Sequence, residues 1–321
     1  MYVYDERKTL LSLQDINQVV YIYITVAMNC MMTAITYCNL DIIYLIQTMK
    51  SSKYRPKSPA QDAFVRGWKR VAVRLQNFYI LGNGFLLVAV IVLALYKGER
   101  TLFVAHVPSF LNWKVYLAPH VFFCSQILMS VYTCQMTANY ASILTTFLIE
   151  LLIQTYLLKE DLVEMSDIAE FKECLQWHQL LLLLRKKIQR FCSIGMTVVF
   201  LLGVIIMCTT MSLLTQGETA DVAFLFPYVS VLVLIILGAC WCGSEVMSQS
   251  DGISFCIYSS QWTDSDVSYM KLIKMQLLFA KDPMKIYLGG GVTTMSLPLF
   301  VTIMKTTYTV FTLLQGFQDS I

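Results

Sequence analysis

Long uncharged runs, set apart by stretches of mixed charge, organise this chain. They occupy 16–40, 75–96, 115–149, 191–217, 222–244 and 286–304, the last continuing past Lys305 to Gln315. A helix needs roughly 20 apolar residues to cross a hydrocarbon core, so the pattern predicts six helical spans. The 115–149 run is thirty-five residues long. At about 1.5 Å per residue it exceeds a core of roughly 30 Å, so it must tilt or protrude. Beyond it, 149–190 keeps helical periodicity with Glu150, Lys159, Glu160, Asp161, Glu164, Arg185, Lys186, Lys187 and Arg190 interspersed, a pattern for helices standing in water. The fold class predicted is an all-α membrane protein, a helical bundle with helical extensions on one side.

Composition agrees: 57% hydrophobic, 14% charged and a mean hydropathy of +0.60 exclude an ordinary soluble domain. The first fifteen residues carry Asp5, Glu6, Arg7, Lys8 and Asp15 and do not resemble a cleaved leader, which leaves the first span as the insertion signal. No Asn-X-Ser/Thr site occurs, and the ten cysteines avoid the predicted outer loops, so no disulfide framework is expected.

Charge sets the orientation. Of twenty-four Lys and Arg residues, eighteen fall in alternate loops, at 49–74, 157–190 and 248–285, against five on the other side. Cytoplasmic loops retain positive charge, so those three loops are cytoplasmic and both chain ends lie outside.

The last fifth is the most specific stretch. A polar segment, Cys256 to Trp262, leads through Ala280-Lys281-Asp282-Pro283 and Gly289-Gly290-Gly291 into Ser296-Leu297-Pro298-Leu299-Phe300, Lys305 and Tyr308-Thr309-Val310-Phe311-Thr312-Leu313-Leu314. This order resembles the C-terminal signature of insect odorant receptors. The resemblance implies a ligand-gated, non-selective cation channel subunit in the plasma membrane of sensory neurons. It also implies a small hydrophobic odorant as ligand and assembly with the obligate odorant coreceptor, as a hetero-oligomer of four subunits. Members of the family have seven spans with a cytoplasmic N-terminus. The present chain shows six, and absence of the family's first span keeps every later one in its family orientation. Cys174-Leu175-Gln176-Trp177-His178-Gln179 resembles a segment that commonly carries two adjacent histidines, with Trp177 in place of one. The resemblance places it in a cytoplasmic anchor. Two units are expected: 1–255, the bundle with the odorant pocket and cytoplasmic extensions, and 256–321, an anchor segment followed by the pore-lining last span.

On that last span Thr302, Thr306, Thr309 and Leu313 recur at spacings of four, three and four and share one helix face. Spacing alone leaves two readings, a hydroxyl stripe along an aqueous path or threonines bonded back to their own helix. The resemblance, in which the last span of each subunit surrounds a central pore, favours the first. Val310 and Leu313 are then candidates for a constriction that closes by dewetting, with Gln315 as a polar ring beside them. Met304, Tyr308, Phe311 and Leu314 are expected to pack against other helices. Lys305 falls near mid-membrane, where an ammonium is costly, and is expected to pair with Asp41, Glu150 or Glu245.

A volatile ligand needs an enclosed apolar pocket. The resemblance puts it in the outer half of the bundle, where Tyr21, Met28, Phe123, Met129, Phe224 and Tyr228 are candidates. Cys240-Trp241-Cys242 is not a metal site, since side chains two apart on a helix diverge. His106, His120 and His178 have no metal or catalytic spacing. No cofactor, metal, nucleic-acid partner or enzymatic activity is expected. Gly82-Asn83-Gly84 and Gly289-Gly290-Gly291 read as helix interruptions, and the basic residues Arg66, Lys69, Arg70 and Arg74 follow from topology, with anionic lipid as a further contribution.

Three rivals remain. A gustatory receptor of the same superfamily would carry Thr-Tyr, five apolar residues and Gln-Phe. Here six residues separate Thr307-Tyr308 from Gln315, and Gly316 precedes Phe317. A G-protein-coupled receptor would need a cytoplasmic C-terminus, and a transporter with inverted repeats would show internal symmetry.

Overall fold

The computed structural model describes residues 55–96, 118–164, 168–215, 219–260, 262 and 266–318, together with Cys30 and Gln47. The predicted span at 16–40 lies outside them, apart from Cys30. Seven helices are described: α1 (Pro59–Tyr96), α2 (Ala118–Glu164), α3 (Ile168–Thr215), α4 (Thr219–Asp251), α5 (Ile253–Ser259), α6 (Val267–Ala280) and α7 (Leu297–Gln318). Three stretches, Pro59–Ala89, Phe123–Glu164 and Val229–Ser259, are long and apolar enough to cross a membrane, and Leu297–Leu313 is a shorter apolar helix.

The start of α1 is encoded locally. Ser58 Oγ accepts the Gln61 N–H at 3.2 Å, and Gln61 Oε1 accepts the Ser58 and Lys57 N–H groups at 3.3 and 2.7 Å. With Pro59 in the first turn, this reciprocal cap satisfies amides that an uncapped helix leaves open. Gly82-Asn83-Gly84, read from sequence as an interruption, lies inside α1 without a break. A helix in hydrocarbon must satisfy its own backbone, and Asn83 adds a bond by donating from Nδ2 to the Tyr79 carbonyl at 2.8 Å.

The central rod is α2, 47 residues and therefore about 70 Å long. The over-long third run thus protrudes, as its length predicted. Leu144, Leu148, Leu151, Leu152 and Leu158 along it are fully buried. Against α3, Tyr140 stacks on Phe191 with centroids 5.2 Å apart, and Phe147 meets the same ring edge-on at 5.6 Å. Between α1 and α2, Phe64 stacks on Tyr156 at 3.7 Å, and Trp68 faces Trp241 of α4 at 5.4 Å. Outside the bilayer, Lys57 Nζ reaches Asp161 at 2.7 Å, joining the head of α1 to the far end of α2. That carboxylate's hydrogen bond is the main cause of the raised pKa of Lys57.

The beginning of α3 packs against α6. Phe171, Trp177, His178 and Leu181 are buried there, and Phe171 meets Tyr269 edge-on at 5.3 Å. His178 Nδ1 contacts Gln276 Nε2 at 2.5 Å, both side chains buried. With Nδ1 unprotonated it accepts the amide proton, and burial lowers the imidazole pKa.

The last predicted span begins later than its hydropathy indicates. Residues 287–288 and 293–294 form β1 and β2, an antiparallel hairpin with Tyr287 opposite Thr294 and Leu288 opposite Thr293. Gly289, Gly290 and Gly291 between them have φ of 59°, 72° and 108°, in the positive range that favours glycine. The helix therefore starts at Leu297, where the sequence after the glycines places it, although the uncharged run begins at 286. Its 22 residues still give about 33 Å, enough for one crossing.

Candidate pore helix and ligand residues

The hairpin roots α7 in the bundle. Gly289 N–H donates to Thr197 Oγ1 of α3 at 2.9 Å, and the Arg185 guanidinium lies 6.0 Å from the Tyr287 ring centroid. Two serines on α4 bracket the connection. Ser250 Oγ accepts Met284 N–H at 2.7 Å where the chain arrives, and Ser244 Oγ accepts Leu297 N–H at 2.8 Å where the helix begins. Beside Ser244, Gly243 lies against the Met295 carbonyl oxygen, so close that a β-carbon would overlap it.

From this root α7 divides into two faces. Ile303 and Thr307 are buried, with Leu299, Phe300, Met304, Val310 and Phe311 partly so, and this seam packs on α3 and α4. Thr302, Lys305, Thr306, Tyr308, Thr309, Thr312 and Leu313 are exposed. The predicted stripe of Thr302, Thr306, Thr309 and Leu313 thus lies together on the unpacked side. Tyr308, expected to pack, is 69% exposed. It lies about 100° around the helix from Thr307 and about 140° from Ile303, off the packed seam.

The second reading of the threonines is observed, since Thr302, Thr306 and Thr309 all bond back to their own helix. Thr302 donates to Pro298 O at 2.9 Å, Thr306 to Thr302 O at 2.9 Å, and Thr309 to Lys305 O at 3.0 Å. Each hydroxyl proton is thereby engaged on the helix itself, on residues that are exposed, and the oxygen keeps lone pairs free. An oxygen in that state presents lone pairs outward, so the stripe is a line of acceptors.

The ion pair expected for Lys305 is not formed with Glu150 or Glu245, the two candidate partners among the described residues. The lysine is exposed, and among the described residues it has no ion pair; Glu150 Oε1 instead accepts from Gln154 at 3.2 Å. Asp41 lies outside the described residues. Lys305 stands eight residues, about 12 Å, along α7 from Leu297.

Of the ligand candidates, Phe123 is partly buried and Met129 is 51% exposed, both on α2. Six positions apart on a helix, they lie about 120° apart and do not form one wall. Tyr21 and Met28 lie outside the described residues, as do the side chains of Phe224, Tyr228 and Gln315. Sequence reasoning missed Thr197, Gly243, Ser244 and Ser250, which fix the root of α7. Small polar residues within an apolar run were the only available sign of them.

A multi-helix membrane bundle with a hairpin-rooted, span-length last helix defines the class of protein. The sequence profile of the 7tm odorant receptor family matches residues 12–308, and the chain belongs to that family. The family is one of receptors, not of enzymes. Odorant receptor Or2 of Anopheles gambiae is 25% identical over 211 residues, covering 61% of this chain and 56% of that protein. Odorant receptor 46a, isoform B, of Drosophila melanogaster is 23% identical over 288 residues, covering 84% and 74%. The match thus spans little more than half of the mosquito relative's length. The solved insect olfactory receptor OR5 from Machilis hrabei has the same fold, with a TM-score of 0.73 at 13% identity over 95% of this chain and 82% of that one. The OR5 structure in complex with eugenol aligns with a TM-score of 0.70 at 13% identity, over 96% and 83%.

Proposed function

We propose that this chain is the odorant-binding subunit of an odorant-gated, non-selective cation channel in the plasma membrane of olfactory sensory neurons. The observation that carries the reading is the exposed acceptor stripe of Thr302, Thr306 and Thr309 on a helix long enough to cross the membrane, in a chain of this family. Set around an axis with copies from other subunits, such a stripe gives a cation oxygen ligands along its path, and Val310, Leu313 and Gln315 form the gate at its outer end. The ligand is a small hydrophobic odorant held among Tyr21, Met28, Phe123, Met129, Phe224 and Tyr228. The partner is the odorant coreceptor in a heteromeric tetramer, with 256–296 contributing to the cytoplasmic anchor.

Whole-cell recording from cells expressing the chain with the coreceptor, across a broad odorant panel, tests this. An odorant-evoked current that needs this subunit and survives block of G-protein signalling is expected. Surface-expressed protein that yields odorant responses only through G proteins would overturn it.

A further inference from the structure

One row of exposed residues runs the length of α1. Arg66, Arg70, Arg74, Asn77, Leu81, Phe85, Val88 and Val92 follow one another at spacings of four, four, three, four, four, three and four, so all share a face. Every one is exposed, and Leu81 and Phe85 are 71% and 68% so. The opposite face, with Gln61, Val65, Tyr79, Asn83 and Leu86, is buried against the rest of the bundle.

The row changes character once. The uncharged part of α1 from Leu75 to Tyr96 is about 32 Å long, the thickness of one hydrocarbon core, so Arg74 and the arginines before it stand at the cytoplasmic headgroups. The step from Asn77 to Leu81 is about 6 Å, close to the depth of the headgroup layer. A phospholipid has the same order along its length, an anionic phosphate and then acyl chains. Topology alone requires positive charge on this side of the membrane, but it does not require three arginines in register with the lipid-facing row. Arginine also suits phosphate, because its planar fork donates two parallel hydrogen bonds.

The local charges leave the arginines available. Asp62 pairs with Arg66, and Arg70 Nε donates to the Arg66 carbonyl at 3.3 Å, which turns one edge of its guanidinium to the helix and leaves the terminal nitrogens for other partners. Among the described residues neither Arg70 nor Arg74 has an ion pair, and exposed Lys69 lies beside them.

We propose that this face of α1 is a binding site for an anionic phospholipid of the inner leaflet, its phosphate held by Arg70 and Arg74 with Arg66 behind them and its chains lying along Leu81, Phe85, Val88 and Val92. The site depends on α1 crossing the membrane, not on what opens the channel, and the test reads binding without current. Native mass spectrometry of the full chain in detergent, titrated with phosphatidylserine or phosphatidylcholine, is the measurement. Each basic residue near an anionic surface strengthens binding several-fold, so phosphatidylserine is expected to bind at least about tenfold tighter than phosphatidylcholine. R70Q/R74Q is expected to abolish that preference, R70K/R74K to weaken it, and K271Q/K274Q, at exposed lysines of α6, to keep it.

The proposal fails if wild-type protein shows no preference, if R70Q/R74Q elutes as folded protein and still prefers phosphatidylserine, or if K271Q/K274Q loses the preference equally. Displacement of the lipid by millimolar inorganic phosphate would also overturn it, by making the arginines a site for a free anion. Should R70Q/R74Q misfold, the wild-type preference and the R70K/R74K series still decide the matter.

Discussion

Gly243 on α4 lies directly against the carbonyl oxygen of Met295, one residue before the turn that opens α7. That oxygen belongs to the backbone and cannot swing away as a side chain would. Gly243→Ala is therefore expected to displace the root of the last helix at a cost of about 1–3 kcal/mol. Ser244→Ala, which removes the acceptor for Leu297 N–H, is expected to cost about 1 kcal/mol. Thermal unfolding of purified protein measures both, and odorant-evoked current should fall more in the first than in the second.

The three hairpin glycines are not equivalent. Gly290, at φ 72°, has open space around it, so Gly290→Asn is expected to be nearly neutral, because asparagine tolerates this region. At Gly291, φ 108° is outside what any side chain adopts comfortably, and Gly291→Ala is expected to lower stability by about 1–3 kcal/mol. Comparing the two melting curves separates backbone strain from simple loss of a glycine.

Threonines on the two faces of α7 should respond differently to valine. Thr306→Val and Thr309→Val remove exposed acceptors and are expected to reduce cation conductance severalfold while leaving the melting temperature nearly unchanged. Thr307→Val, on the buried seam, is expected to change stability and leave permeability alone. Single-channel conductance and thermal unfolding, measured on the same three variants, test the assignment.

Lys305 is the exposed cation beside that stripe. Lys305→Gln is expected to leave the fold intact, since no ion pair among the described residues is lost, and to raise cation conductance by removing a repelling charge. Marked destabilisation of the variant would show that the ammonium has a partner within the protein.

Burial holds His178 neutral, with its pKa below the ordinary 6.5. Above about pH 6.5 the imidazole is neutral whether folded or unfolded, and its contribution to stability is complete. As pH falls below that value the unfolded chain takes up the proton first, so stability declines until the folded imidazole also titrates. Unfolding followed from about pH 8 down to about pH 5 should show this decline, and a shallower one in His178→Asn.

Much of this was legible in the sequence, because hydrocarbon imposes a length on every uncharged run. The protruding α2 and the threonine face of α7 follow from span length and helical spacing. The glycines also marked the interruption before α7, but not its form, since hydropathy cannot distinguish a glycine hairpin from a helix when both are uncharged. Gly82-Asn83-Gly84 and Gly289-Gly290-Gly291 looked alike on paper. The first lies within a helix whose hydrogen bonds have no alternative partner, whereas the second lies beside Thr197, which receives the amide of Gly289. Of the acids expected to pair with Lys305, Glu150 and Glu245 do not, and Asp41 lies outside the described residues. Ligand contacts depend on packing between helices, which spacing along one helix does not encode.

Clamping α7 at its base turns it into a lever. With Leu297 fastened to Ser244 and the hairpin fastened to Thr197, the free end lies about 33 Å away, so a tilt of only about 5° carries the tip some ~3 Å sideways while the base hardly moves. The same tilt carries Val310 and Leu313, about 20 and 24 Å from the base, ~2 Å sideways.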